Sequence, residues 1–163
     1  MDNPTITALL RHFADLRDGT HGPDAVSRVD KEELFVRAAG LLDPHARNVL
    51  RDVNDGLLLG TGTVAASGVV RPDGGGLEAV WTLSWPEQVA AGIEPITVRA
   101  HYGAGFHHPH LRGATVGEWP LNVFDEEQAA AEVPVLRAIA AADLHNLVFQ
   151  RDYRIVPATV AGL

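Results

Sequence analysis

The chain has 163 residues, 46% of them hydrophobic and 21% charged, which is typical of one folded globular domain and excludes a disordered chain. The formal net charge of −8 disfavours nucleic acid and anionic membranes as partners, while the absence of cysteine excludes disulfides, thiolate metal sites and cysteine nucleophiles. No apolar run approaches the roughly 18 residues that span a bilayer and the N-terminus lacks a leader pattern, so we expect a cytoplasmic protein.

The first predicted element is a helix over residues 5–17. Its apolar residues recur at helical spacing and are Ile6, Leu9, Leu10, Phe13 and Leu16. The segment 18–24 is rich in Gly and Pro and is predicted to end this helix.

Two further helices are predicted before the first strand. Asp30 with Glu33 three residues later forms a capping-box pattern, which predicts a second helix through Leu41. Pro44 suits a first helical turn, so a separate third helix is predicted to follow it. The apolar residues expected on its inner face are Ala46, Val49, Leu50 and Val53.

The middle of the chain has the composition of strands, with β-branched and aliphatic residues broken by glycine. Residues 57–64 predict one strand, residues 66–70 its continuation or partner, and residues 71–76 a hairpin turn. Strict alternation over residues 77–85 predicts a half-buried strand, with Trp81 and Trp85 in the core. A loop then leads to a short strand at residues 96–100.

The last third combines a loop with helices. Residues 101–120 have no clean period and are dense in Gly, His and Pro, which predicts a structured loop. Residues 125–142 predict a helix, and residues 144–149 start or continue a second one. Strands flanked by helices without βαβ alternation predict an α+β fold: an antiparallel β-meander packed against C-terminal helices. We expect one compact domain, with residues 1–54 as an N-terminal helical extension packed on a core of residues 55–163.

Several short segments resemble the ubiquitin-conjugating-enzyme family. The family has a strand with a Pro stop, a Pro-containing turn and strand, the tripeptide His-Pro-Asn, and the segment that bears the catalytic cysteine. The matching segments here, in the same order, are residues 83–86, residues 94–100, His108-Pro109-His110 and residues 117–124. Residues 155–157 resemble the family's Leu-Val-Pro segment, so the resemblance covers about the last two-thirds of the chain.

The resemblance implies the fold of that family without its chemistry. Pro120 falls on the catalytic cysteine, and His110 replaces the asparagine that supports the oxyanion. Thioester transfer needs a thiolate, so it is excluded. The resemblance therefore implies a noncatalytic binding module of a bacterial ubiquitin-like modification system, with no cofactor. Its partner would be the modifier, the activating enzyme or another product of the same operon, and the predicted contact residues are His107, Arg112, Glu118, Trp119 and Pro120.

Other chemistries remain open for the histidine-rich loop. Thr115 could form an oxyester if His108 or His110 acted as its base, so these three residues are the catalytic candidates. A small metalloprotein is the alternative function, because imidazole and carboxylate groups can bind zinc. The candidate ligands are His101, His107, His108, His110 and Glu118. In a structural role, the ring of His108 would instead bond to nearby backbone and hold the loop. An adaptor without any tie to modifiers would also fit the sequence.

Overall fold

Helices pack on one face of a five-stranded antiparallel sheet in the computed structural model, which describes residues 3–22 and 25–162. The elements are α1 (Pro4–Asp18), α2 (Arg28–Leu57), β1 (Thr63–Val70), β2 (Leu77–Ser84), α3 (Pro86–Ala91), β3 (Ile96–Tyr102), β4 (His110–Arg112), β5 (Gly117–Pro120), α4 (Glu126–Ala131), α5 (Val133–Gln150), a 3-10 helix (Tyr153–Ile155) and α6 (Pro157–Val160). The predicted α+β class is confirmed. Within the described ranges, no helix is long and apolar enough to cross a bilayer.

The sheet is a meander in which each strand pairs with the next along the chain, in the order β1-β2-β3-β4-β5. The predicted alternation in β2 is confirmed, with every second residue buried from Leu77 to Leu83. Trp81 and Trp85 are both in the core, as predicted. The Trp81 indole donates to Asp43 Oδ1 at 2.9 Å and the Trp85 indole to the Ile155 carbonyl at 2.6 Å.

The core lies between the sheet, α2 and α5. Phe35, Leu42 and Leu50 of α2 have no exposed surface, and neither do Leu136 and Ile139 of α5. The predicted boundary after residue 54 lies inside α2, which supplies one wall of this core.

The prediction of separate second and third helices is wrong, because α2 is continuous and contains Pro44. A proline inside a helix lacks one backbone donor, and here the apolar face continues on both sides of it. The prediction that Asp30 caps the helix is also wrong. The cap is Ser27, whose hydroxyl accepts from the Asp30 backbone N–H at 3.1 Å.

The limits of three other predicted segments differ from the structure. The strand predicted over residues 57–64 is wrong, since α2 runs to its first residue and β1 begins only at Thr63. The Asn54 side chain orders the intervening turn, with Oδ1 accepting from Gly62 N–H at 2.8 Å. Pro86 does more than end β2, because it also opens α3, where a loop was predicted. The predicted loop 101–120 contains β4 and β5.

The terminal helices follow the prediction more closely. The helix predicted over residues 5–17 is confirmed as α1, which ends before Gly19 in a left-handed conformation with φ of 70°. The predicted breaker segment includes Pro23 and Asp24, which lie outside the described residues. The helices predicted near residues 125–142 and 144–149 are instead α4 and a longer α5, because the break falls at Glu132, shortly before Pro134.

Candidate functional site

A cleft of about 440 Å³ lies between α1, β5 and the junction of α4 with α5. We call it the α1 cleft. Its lining residues are Pro4, Thr5, Thr7, Ala8, Leu9 and Arg11 from α1, Trp119, Pro120 and Asn122 from β5 and the residues after it, and Asp125, Glu127, Gln128, Ala131, Glu132 and Val135 from the α4–α5 side. Three separate parts of the sequence therefore build this one cleft.

Local sequence explains the α4–α5 wall. Asp125 caps α4, with Oδ1 accepting from the Gln128 backbone N–H at 2.8 Å, while Gln128 Oε1 accepts from the Phe124 N–H at 2.8 Å. These two hydrogen bonds fix the start of α4. Glu132 is both the C-cap of α4 and the N-cap of α5. Its side chain therefore lies at the junction of the two helices, where it lines the cleft.

Three polar side chains in this lining lack partners among the described residues. Asn122 is only 7% exposed, and its Oδ1 accepts no hydrogen bond. The buried Nε of Arg11 likewise donates none. Burial raises the pKa of the Glu132 carboxyl to about 7, and the Arg11 charge only partly offsets that effect. Buried polar groups are nearly always hydrogen-bonded, so Asn122 Oδ1 and Arg11 Nε, together with the partly buried Glu132, mark a surface that a ligand can complete.

The charge of the cleft is acidic. Asp125, Glu127 and Glu132 line it, and Arg11 is the one cationic side chain in the described lining. Trp119 is half-buried, packs against the core and lines the same space. An aromatic wall beside carboxylates favours a ligand that carries both apolar and positively charged groups.

Beside the cleft, three buried imidazoles form a group that we call the histidine cluster: His12, His21 and His108. The ring centroids of His12 and His108 are 5.3 Å apart, and those of His21 and His108 are 5.7 Å apart. His21 also packs edge-on against Phe124, at 4.8 Å. The Nδ1 atoms of all three rings lack a hydrogen-bond partner in the described ranges. The cluster joins α1 to the loop before β4.

Burial lowers the pKa of each ring in the histidine cluster, and that of His21 falls to about 4. Neighbouring positive charge lowers these pKa values further, since His21 and His108 both lie near the buried Lys31. The negative charge of Asp15 raises the pKa of all three rings and so opposes these effects. The cluster is consequently uncharged at neutral pH and serves as packing between α1 and the core.

The structure separates the predicted zinc ligands. His108 is buried in the histidine cluster, whereas His101 and His110 are cross-strand partners on the outer face of the sheet, with rings 5.8 Å apart. His107 is exposed. His101 Nε2 lies 3.4 Å from Glu118 Oε1 without hydrogen-bond geometry, and burial lowers the pKa of His101. The described residues contain no group of three His, Asp or Glu side chains placed to hold a metal ion. The zinc hypothesis stays a prediction.

Among the catalytic candidates, Thr115 contacts a carboxylate and an amide. Its hydroxyl donates to Asp143 Oδ1 at 2.5 Å and accepts from Asn146 Nδ2 at 3.0 Å. Asp143 also accepts from the Thr115 backbone N–H at 2.8 Å. No hydrogen bond joins Thr115 to His108 or His110 in the part of the chain that the structure describes. These contacts anchor the loop after β4 to α5.

The predicted partner contacts fall into two groups. Trp119 and Pro120 line the α1 cleft. Arg112 and Glu118 form an ion pair of 3.4 Å between β4 and β5, with both side chains about two-fifths exposed. His107 lies apart, on the loop before β4.

Sequence reasoning missed Arg11, Asn122 and Glu132 in the cleft, and His12 and His21 beside it. Arg11 is more than a hundred residues from Asn122 and Glu132, and no short motif links them. The one local signal was Pro134 near the start of an Ala-rich helix, which marks a helix junction next to Glu132.

Comparisons of the chain with protein-family models, with curated proteins and with solved structures found no match. The function therefore has to be argued from the geometry of the site. The described lining of the α1 cleft combines unpartnered polar groups, an aromatic wall and an excess of carboxylates, and this combination suits the binding of a ligand.

Proposed function

We propose that this chain is a noncatalytic binding module that holds a segment of a protein partner in the α1 cleft. The observation that carries the proposal is the meeting, in one cavity, of Trp119 with three polar groups that lack partners: Arg11, Asn122 and Glu132. Trp, Tyr and Arg side chains are the residues most enriched among the energetic hot spots of protein interfaces. A bound segment would supply the missing hydrogen bonds and cover the indole.

The position of β5 favours a protein segment as the ligand. β5 is the last strand of the sheet, and Trp119 and Pro120 of this strand line the cleft. An edge strand presents backbone N–H and C=O groups to which an extended chain can bind. Pro120 lacks an N–H and limits this pairing to the start of the strand, so the cleft side chains have to supply most of the specificity.

The finer proposal is that the partner belongs to a ubiquitin-like modification system. Its support is the resemblance, together with a fold in which β2 and β3 form an antiparallel meander and β3 packs against α5. The absence of cysteine makes a holding role the one compatible with this proposal. The modifier, its activating enzyme and other products of the same operon are the candidate partners.

The proposal is tested by filling the cleft. Ala131 is exposed and lines the cleft, while its neighbour Ala130 is exposed and does not, so Ala131→Trp and Ala130→Trp form a matched pair. Purified protein is assayed against the separately purified products of neighbouring genes and against a displayed random-peptide library. We expect binding by wild type and Ala130→Trp, and a loss of about tenfold or more in affinity for Ala131→Trp.

The outcomes separate the two levels of the proposal. Binding that Ala131→Trp leaves unchanged, or no binding of any gene product or peptide, would contradict the binding module. A partner that binds in the cleft but has no ubiquitin-like fold and no activating role would contradict only the finer proposal. Circular dichroism confirms that each variant is folded.

A further inference from the structure

We infer that the segment held in the α1 cleft inserts a cationic side chain, a guanidinium or an ammonium, between Glu132 and Asn122. The inference rests on the proposed function in one respect: that the ligand is a segment of a protein. The site for the cation itself depends only on the charges and unpartnered atoms of the cleft.

Negative charge exceeds positive charge in the lining of the α1 cleft. Three carboxylates line it and one cation accompanies them, Arg11. Asp125 Oδ1 is engaged in the cap of α4, whereas Glu132 has no hydrogen bond or ion pair among the described residues. An incoming positive charge would lie in an acidic environment that water only partly screens.

Asn122 supplies an unpartnered hydrogen-bond acceptor in the lining of the cleft. Its side chain is more than nine-tenths buried and lines the cleft, and Oδ1 has no donor. His12 lies close enough for Asn122 to raise its pKa, but no hydrogen bond of good geometry reaches Oδ1. Guanidinium and ammonium groups carry only donors and match both this oxygen and a carboxylate.

Arg11 and Trp119 fit the rest of such a segment. The unpartnered Nε of Arg11 needs an acceptor, which a backbone carbonyl of the bound chain can provide. The indole of Trp119 offers an apolar face along which the methylene stem of Arg or Lys can pack. One basic residue of the bound segment would then supply a donor for Asn122, a backbone acceptor for Arg11 and an apolar stem for Trp119.

Protonation of Glu132 makes the affinity of the cleft for a cation depend on pH. Its pKa is raised to about 7, so the carboxyl loses its negative charge as the pH falls through that value and binding of a cation weakens. The charged groups of the lining are Arg11 from α1 and Asp125 and Glu127 from the start of α4, while the residues from β5 are uncharged. We expect affinity to fall about tenfold from pH 8 to pH 6.

The experiment uses two small probes, N-acetyl-arginine methylamide and its neutral isostere N-acetyl-citrulline methylamide. Binding is followed by NMR, through the side-chain amide of Asn122 and the indole N–H of Trp119. We expect saturable shifts with the arginine probe and about tenfold weaker binding of the citrulline probe. The variant Glu132→Gln should lose this preference and the pH dependence, whereas Glu94→Gln, at an exposed position outside the cleft, should keep both.

Equal binding of the two probes, tighter binding of N-acetyl-glutamate methylamide, or no saturable shift at Asn122 would overturn the inference. If Glu132→Gln does not fold, the two-probe comparison on the wild-type protein decides alone. Peptides that bind the wild type through the cleft fail to bind Ala131→Trp. If those peptides contain no Arg or Lys, the cationic site is overturned and the binding module stands. If the arginine probe binds but no peptide or protein binds in the cleft, the binding module is overturned and the cationic site stands.

Discussion

At the scale of single residues, the buried Asp143 and the partly buried Arg28 hold backbone groups at the β3–β5 end of the sheet. Asp143 of α5 has no exposed surface and accepts from the backbone N–H groups of Thr97 and Thr115 at 2.9 and 2.8 Å. Arg28 of α2 donates to the carbonyls of Tyr102, Gly103 and Phe106 and lies 3.6 Å from the centroid of the Tyr102 ring. Helices on the inner face thereby order loops at the sheet edge.

We expect Asp143→Ala to be strongly destabilising, because it leaves the buried Thr97 N–H and the part-buried N–H and hydroxyl of Thr115 without an acceptor. The free energy of unfolding should fall by about 3 kcal/mol or more. Urea denaturation followed by circular dichroism measures it. Asp52→Ala is the matched control, since the Asp52 side chain is 72% exposed and its change should stay within about 0.5 kcal/mol. A loss below about 1 kcal/mol for Asp143→Ala would contradict this structural role.

Two buried titratable groups have opposite effects on the pH dependence of stability. The pKa of His21 falls from 6.5 to about 4 on folding, so the unfolded chain binds the extra proton and stability is lost as the pH drops through this range. The pKa of Glu132 rises from 4.5 to about 7, so the folded chain binds the extra proton and stability is gained as the pH drops from 7. Substitutions are needed to separate the two effects.

The variant His21→Phe should therefore reduce the acid sensitivity of the fold. Between pH 7.5 and 4.5, we expect the wild type to lose about 2 to 3 kcal/mol more free energy of unfolding than His21→Phe does. Urea unfolding at the two pH values gives both differences. His145→Phe, at an exposed position, should lose stability like the wild type. Identical acid losses for His21→Phe and the wild type would show that His21 does not remain neutral in the fold.

At the scale of elements, periodicity predicted which segments are helical but not which face each one buries. In α1, the apolar stripe that defines the helix points outward: Ile6, Leu10, Phe13 and Leu16 are each more than half exposed. His12 and Asp15 are the buried side chains instead. The histidine cluster and the α1 cleft lie against the other face of this helix.

The two long N-terminal helices should therefore differ in their response to the same substitution. Leu42 of α2 has no exposed surface, whereas Leu10 of α1 is 63% exposed. We expect Leu42→Ala to lower the free energy of unfolding by about 2 to 5 kcal/mol and Leu10→Ala to change it by less than about 1 kcal/mol. Urea unfolding compares them directly. Similar losses for both variants would mean that the stripe of α1 is covered in solution.

Element boundaries were predicted less well than the elements themselves. The capping pattern at Asp30 and the helix-start signal at Pro44 are local signals, and tertiary packing overrode both when α2 formed as one helix against the sheet and α5. β4 and β5 have only three and four residues, too few for alternation to show in the sequence.

At the scale of the whole molecule, acidic side chains outnumber basic ones, and the α1 cleft shares this imbalance. The α1 cleft holds three of the acidic side chains around one half-buried tryptophan. On the outer face of the sheet, by contrast, Arg99 lies 3.8 Å from Glu78 and Arg112 lies 3.4 Å from Glu118, so charges there have partners. A basic protein segment is the ligand that this distribution favours.

The sequence by itself determined the α+β class, the strands that begin at Leu77 and Ile96, and the placement of Trp81 and Trp85 in the core. Those features depend on the spacing of apolar residues, which the chain carries locally. Tertiary structure alone decided that Arg11, Asn122 and Glu132 share a cleft and that His12, His21 and His108 share a cluster. These side chains come from distant segments, and their proximity and their pKa values exist only once packing has removed water around them.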